Sequence, residues 1–248
     1  MTEQVSGSKS RGAVDAEIAS LVTESEGWTA RRVIEWTLGR YGRKAAFVTS
    51  FQAEGMVILD IALSLDRTAR VLTIDTGRLP PETYELIDRV RERYGVEVEV
   101  VHPDHSELTS FVTLHGVNAF YRSVEMRRMC CYFRKVSPLN RALAGSQAWV
   151  TGLTRGQSEG RASTPKIEID LAHDDIIKVN PLADWSNDQV WGYIREHGIP
   201  YNALYDAGYP SIGCAPCTRP VRAGEDSRAG RWWWETDQPK ECGLHVKS

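Results

Sequence analysis

The chain has little of several things that would place it at once. Its 248 residues include five cysteines, four methionines, five phenylalanines and six histidines. An odd cysteine count, with no secretory segment recognisable at the start, does not read as a disulfide framework and points to a reducing, cytoplasmic setting. No apolar run approaches the roughly 20 residues that cross a bilayer, so no membrane partner is expected. An excess of basic charge is missing too. Thirty Lys and Arg against 33 Asp and Glu leave a net charge of −3, which argues against a general nucleic-acid binder. What remains is an ordinary globular composition, long enough for one domain or one domain with a tail.

The few cysteines are concentrated. Cys130 and Cys131 adjoin, Cys214 and Cys217 form C-x-x-C, and Cys242 stands apart near the end. Two core thiols plus a surface C-x-x-C is the plain alternative, because free cysteine is usually buried. Four thiolates in two tight groups fit a metal site better, either zinc or iron–sulfur. Neighbouring side chains diverge by roughly 100° on a helix or point to opposite faces of a strand. They reach one zinc ion with difficulty, and structural zinc sites usually space their ligands more widely. A cubane is wide enough for adjacent sulfurs to bind different irons, so the pattern favours a 4Fe–4S cluster. Arginines crowd both segments, at 127, 128 and 134 and at 219, 222, 228 and 231, which suits an anionic ligand. Lys135, four residues past Cys131, falls on the same side of a continuous helix and would offset thiolate charge.

Along the chain, residues 1 to 12 are polar and expected to be disordered. Residues 13 to 223 read as one α/β domain, and residues 224 to 248 as a C-terminal segment with a mobile tail. Helices are expected over Val14–Glu24 and Thr29–Tyr41, the second capped by Thr29 and stopped by Gly42. An alternation then predicts a mostly parallel sheet flanked by helices. Its strands are Lys44–Thr49, Arg70–Asp75, Glu97–Val101 and Ala148–Thr151, with helices over Glu54–Leu65 and Pro81–Tyr94. Lys166–Asn180 reads as two short strands turned at His173-Asp174-Asp175, and Ser186 caps a helix that runs to His197. His102, His105 and His115 are set aside as metal ligands.

Ligands of open α/β sheets bind at the carboxyl ends of the strands, which singles out three loops. Ser50-Phe51-Gln52-Ala53-Glu54-Gly55 offers a hydroxyl and free N–H groups at a helix start, suited to an anion or to nucleotide hydroxyls. Asp75-Thr76-Gly77-Arg78 places an acid, a hydroxyl, a flexible glycine and a cation before a Pro-led helix. In the third, from Thr151 to Arg161, Gly152 permits close backbone approach, and Arg155 or Arg161 can grip a phosphate by forked hydrogen bonds. Arg161 is favoured. Further on, Arg228 and Arg231 precede three tryptophans. Cys242 lies near Lys240 and His245, which can lower a thiol pKa and supply a nucleophilic thiolate.

The C-C…C-x-x-C set followed by Glu241-Cys242-Gly243-Leu244-His245 resembles the assimilatory adenylyl-sulfate reductases. These are the iron–sulfur members of the PAPS/APS reductase family, and the match runs from about Ala45 to His245. The resemblance implies an adenine-nucleotide α-hydrolase (PP-loop-like) fold with one 4Fe–4S cluster on Cys130, Cys131, Cys214 and Cys217. It further implies a site formed by Ser50, Phe51, Asp75, Thr76, Gly77, Lys135, Gly152, Arg161, Arg228, Arg231 and His245. Cys242 would be the catalytic thiol and thioredoxin the reductant. The reaction would be reduction of adenosine 5′-phosphosulfate (APS) to sulfite and AMP through a cysteine S-sulfonate, in sulfate assimilation and cysteine biosynthesis. The chain departs from the family pattern G-L-R-R-x-Q-S, with Thr154 in place of the first arginine. The glycine-rich form of the first loop, found in relatives that split ATP, is missing. Reduction of the 3′-phosphorylated nucleotide, PAPS, is the nearest alternative. A tRNA-thiolation protein on the same fold is a more distant one, and homo-oligomerisation is compatible with either.

Overall fold

The structure, a computed structural model, describes residue 18 and residues 20–235. The expected start of the first helix, the mobile tail, Cys242 and His245 therefore lie outside the described residues. Helix α1 is helical at residue 18 and from 20 to 25. Helix α2 (Ala30–Tyr41) begins where the Thr29 side chain accepts from the Arg32 N–H, and it ends at Gly42, whose φ is 50°. Strand β1 (Ala45–Val48) leads into α3 (Ala53–Leu65), which is apolar on nearly every side and buries eight of its residues. Helix α4 (Pro81–Tyr94), between β2 (Arg70–Ile74) and β3 (Val98–Val101), opens on Pro81 and closes on Gly95 in the left-handed region. That is the proline-first, glycine-last asymmetry of helix ends.

Six strands form one sheet in the order β3-β2-β1-β4-β6-β5, where β4 is Ala148–Val150, β5 Ile167–Asp170 and β6 Ile176–Val179. All neighbours are parallel except β5 and β6, which run antiparallel. The turn between those two carries Asp174 and Asp175 at positive φ, as the expected bend at His173-Asp174-Asp175 requires. The strand order reverses between β1 and β4, because the chain steps outward through β2 and β3 and returns to β1's other side. At such a switch point the loops leaving the two central strands diverge to opposite faces and leave a crevice.

Between β3 and β4 come α5 (His105–His115), α6 (Val124–Cys131), a π-helical turn over Tyr132–Val136, and α7 (Ser137–Leu143). Sequence reading noted only the histidines of the first stretch. His105 and His115 are opposite ends of α5, about 15 Å apart at 1.5 Å per residue. The expectation of a continuous helix through Lys135 is corrected by the π turn. Ser137 N–H bonds to the Tyr132 carbonyl five residues back, so the α-helical spacing from Cys131 to Lys135 does not hold. Helix α8 (Asn187–Glu196) starts with a capping box between Ser186 and Gln189.

Candidate functional site

A pocket of about 440 Å³ opens at the switch point. Its walls come from the loop after β1, from β2 and the loop after it, and from the loop after β4, closed by Pro210–Gly213 and Ser227–Arg231. The loops after β1 and β4 abut so closely that a Cβ on Gly152 would stand 3.2 Å from Glu54 Cβ and 3.3 Å from the Gly55 nitrogen. Ser50, Thr76, Lys135, Gly152, Arg161, Arg228 and Arg231 all line this pocket. Phe51 lies outside the lining: at φ 56° its ring turns into the core and is fully buried. Arg155 points away, paired with Glu26 and bonded to the Thr164 carbonyl at 2.9 Å.

The free N–H groups expected at the start of α3 are partly spoken for. The Ala53 N–H donates to the Tyr205 hydroxyl at 2.9 Å, and the Phe51 N–H donates to Thr49 Oγ1 at the same distance. Tyr205, 152 residues away in sequence, thus stands on the helix end that an anion would otherwise take. Burial pushes its hydroxyl far above the ordinary phenol pKa, and the charge of Glu54 adds to this. The cationic end of the pocket lies elsewhere, where Lys135, Arg228 and Arg231 gather. Arg231 is buried against Gly213, donates to Ser211 Oγ at 3.1 Å, and lies over the Trp232 ring at 4.8 Å. Its Nε has no acceptor among the described residues.

A second, much smaller cavity of about 10 Å³ lies behind that end. Cys130, Cys131, Cys214 and Cys217 all line it, as do Arg78, Arg134, Lys135 and Trp232. All four cysteines are buried, and none of them forms a disulfide among the described residues. Among the described residues no group of three or more His, Cys, Asp or Glu side chains is arranged to hold a metal ion. A hydrogen bond from Cys217 holds Cys214 well below the usual thiol range against the effect of burial, helped by Lys135 and Thr76. Cys217 moves up correspondingly, and burial raises Cys130.

The loop after β2 ties the two cavities together. Asp75 Oδ1 accepts from the Gly77 N–H at 2.7 Å and from the Tyr84 hydroxyl at 2.8 Å, fixing the turn. Burial and this bond to Asp75 push the Tyr84 pKa up to about 12. Asp75 and Gly77 therefore shape the loop from outside the pocket, whereas Thr76 lines it and meets Cys214 Sγ at 3.3 Å. Arg134, from the π turn, donates to the Thr76 carbonyl at 2.6 Å, and the Ala215 N–H donates to the Arg78 carbonyl at 2.8 Å. Lys135 lines both cavities. Of the arginines crowding the cysteines, Arg127 is bound to Glu235, Arg219 to Glu225, and Arg128 is exposed.

The fold and the two adjoining cavities define a nucleotide-type α/β protein with a cationic pocket backed by thiols. The chain belongs to the family described as the phosphoadenosine phosphosulfate reductase domain, whose model matches residues 44–220, and it is an oxidoreductase of sulfur compounds. It is 52% identical over 209 residues to an adenosine 5′-phosphosulfate reductase of Burkholderia cepacia, covering 84% of this chain and 83% of that one. A namesake from Allochromatium vinosum is 52% identical over 199 residues, covering 80% and 77%. Among solved structures, a phosphoadenylyl-sulfate reductase from Candida auris in complex with phosphate matches with a TM-score of 0.69 and 30% identity, covering 85% of this chain and 98% of that chain. Yeast FAD synthetase, at 16% identity and a TM-score of 0.55 over 86% of this chain and 70% of that one, shares the fold. No helix among the described residues is long and apolar enough to cross a membrane.

Proposed function

We propose that this chain reduces APS to sulfite and AMP with thioredoxin as reductant, in the cytoplasm, for cysteine biosynthesis. The observation that carries the reading is the shared wall between a cationic pocket and a four-thiol cavity, with Lys135 lining both. In this scheme the nucleotide lies in the switch-point pocket, with Lys135, Arg161, Arg228 and Arg231 holding its phosphate and sulfonate by charge-assisted bonds. The Cys242 thiolate attacks the sulfonate sulfur, the sulfur–oxygen bond to the phosphate breaks, and AMP leaves. The arginines stabilise the charge that develops on that phosphate. A thioredoxin thiolate then attacks Cys242 Sγ and releases sulfite. Its second thiol resolves the mixed disulfide, so the dithiol supplies both electrons. Glu235 is buried, and the seven residues from it to Cys242 can span at most about 25 Å, which bounds how far the Cys242 thiol can lie from it.

The donor set behind the pocket fits a 4Fe–4S cluster on Cys130, Cys131, Cys214 and Cys217. Two buried N–H groups on residues that line the cysteine cavity, Arg134 Nε and Trp232 Nε1, have no acceptor among the described residues. Buried donors call for acceptors, and cluster or thiolate sulfur is one. When bound, the cluster would set the electrostatic potential of the pocket's cationic end.

PAPS reduction is the second reading, favoured by the Candida auris relative, whose name refers to the 3′-phosphorylated nucleotide. Sulfite release from APS and from PAPS, with and without thioredoxin, decides between them. The Cys242→Ser variant is expected to lose turnover and keep nucleotide affinity. Normal turnover in that variant would remove Cys242 from the scheme.

A further inference from the structure

Gln52 stands at the N-cap of α3, yet its side chain makes no capping hydrogen bond there. The amide is used across the pocket instead, in whose wall both Gln52 and Ser50 lie. Its Oε1 accepts from the Ile212 N–H at 2.9 Å, 160 residues away in sequence, and its Nε2 donates to Ser50 Oγ at 3.1 Å. A backbone N–H can only donate, so the Ile212 bond settles which end of the amide is oxygen and turns the NH2 end to Ser50. Ser50 Oγ is therefore an acceptor in this pair, and its own hydrogen points elsewhere. Among the described residues no acceptor takes that hydrogen, and Ser50 is exposed on the pocket wall. The N–H groups of Phe51 and Ala53 cannot serve a ligand in its place, because Thr49 Oγ1 and the Tyr205 hydroxyl take them.

We propose that Gln52 is a positioning residue that presents the Ser50 hydroxyl as a donor to an acceptor oxygen in the AMP part of the bound nucleotide. The same amide ties the loop after β1 to the Pro210–Gly213 segment that closes the pocket. This rests on the nucleotide reading above. In Gln52→Glu the carboxylate can still accept from the Ile212 N–H, but it has no hydrogen for Ser50. Ser50 then donates to the carboxylate, and its polarity toward the pocket is reversed.

The test compares wild type, Gln52→Glu, Ser50→Ala and the Gln52→Glu/Ser50→Ala double variant. The Kd of AMP is measured by calorimetry alongside turnover of APS, and urea unfolding reports whether the tie to Ile212 survives. Gln52→Glu and Ser50→Ala are each expected to lose about tenfold or more in AMP affinity and in kcat/KM, a factor that equals ~1.4 kcal/mol. Gln52→Glu should keep the wild-type urea midpoint. Repulsion between the added charge and AMP acts with or without Ser50, so comparing the two backgrounds removes it. The Gln52→Glu loss should be about tenfold smaller in the Ser50→Ala background than with Ser50 present, the same ~1.4 kcal/mol read as a coupling. An equal loss in both backgrounds overturns the proposal. Wild-type AMP affinity in Ser50→Ala overturns it as well, and that arm stands even if Gln52→Glu does not fold. Should wild type bind no AMP and reduce no APS, the nucleotide reading falls and the proposal falls with it. A wild type that binds, beside variants that match it, sinks the proposal alone.

Discussion

Removing the Glu235 carboxylate should cost this chain a large part of its stability. Arg127 and Glu235 face each other through two 2.8 Å hydrogen bonds, with side chains only 2% and 3% exposed. The guanidinium also lies over the Trp232 ring at 4.5 Å. Glu235→Ala leaves a cation deep in a cluster made of Phe111, Phe120, Trp232 and the four thiols, away from its carboxylate. Breaking a buried pair from one side costs about 3–5 kcal/mol, whereas exchanging both partners for apolar residues of similar volume is often neutral. For a chain of this size each kcal/mol moves Tm by about 2–4 °C, so a fall of roughly 6–20 °C is expected.

Urea unfolding with an unchanged m-value, together with scanning calorimetry, measures this directly. The Arg127→Met/Glu235→Leu double variant should recover most of the loss. AMP affinity should stay at the wild-type value, because neither residue lines the switch-point pocket. A Glu235→Ala variant within about 1 kcal/mol of wild type, the worth of an exposed pair, would show that the guanidinium finds water or another anion. The pair would then not be what holds the end of the described chain against the cysteine helix.

Two further outcomes test other parts of the structure. In Gly213→Ala the new Cβ would fall 2.4 Å from Arg231 Nη2 and 2.7 Å from Cζ, and Arg231 cannot retreat without leaving Ser211 and Trp232. Losing a charge-assisted bond of about 1.5–3 kcal/mol should raise KM for APS ten- to a hundredfold, which steady-state kinetics will show. Asp170 is buried, which alone would raise its pKa. Its bonds with His173 and with the Trp149 indole, and the charge of Lys178, outweigh that and hold it below the usual carboxylate value. The folded pKa is depressed, so this stability is present above the unfolded value of about 3.9 and fades as pH falls through the folded one. Wild type should therefore exceed Asp170→Asn in urea midpoint at neutral pH, with the gap closing below about pH 4.

Much of the scaffold could be read because its signals are local. Pro81 and Gly95 bracket α4, Thr29 caps α2, and Ser186 with Gln189 opens α8, each a contact within one turn. Helix α5 carried such a signal as well: Asp104 accepts from the Glu107 N–H three residues on. The cysteine grouping could be read because C-C and C-x-x-C are dense patterns in a cysteine-poor chain. What escaped depends on distant partners. Nothing near Ala53 announces that Tyr205 will take its N–H, and nothing near Gln157 says that Glu54 will hold its amide. The π turn after Cys131 is equally silent, since the extra residue places Arg134 against the Thr76 carbonyl, a requirement of packing and not of the local sequence.

That turn bears on how the two cavities communicate. An uninterrupted α-helix would set Arg134 and Lys135 at other angles, and Arg134 is the side chain that pins the loop after β2 from the thiol side. The hydrogen bond between Asp75 and Tyr84 pins the same loop again, leaving Thr76 with its hydroxyl on Cys214 and its surface in the switch-point pocket. A residue held from three directions in a packed interior cannot yield to one neighbour without moving the others. Thr76 and Lys135 are thus the two side chains through which the thiol cavity and the pocket share a wall.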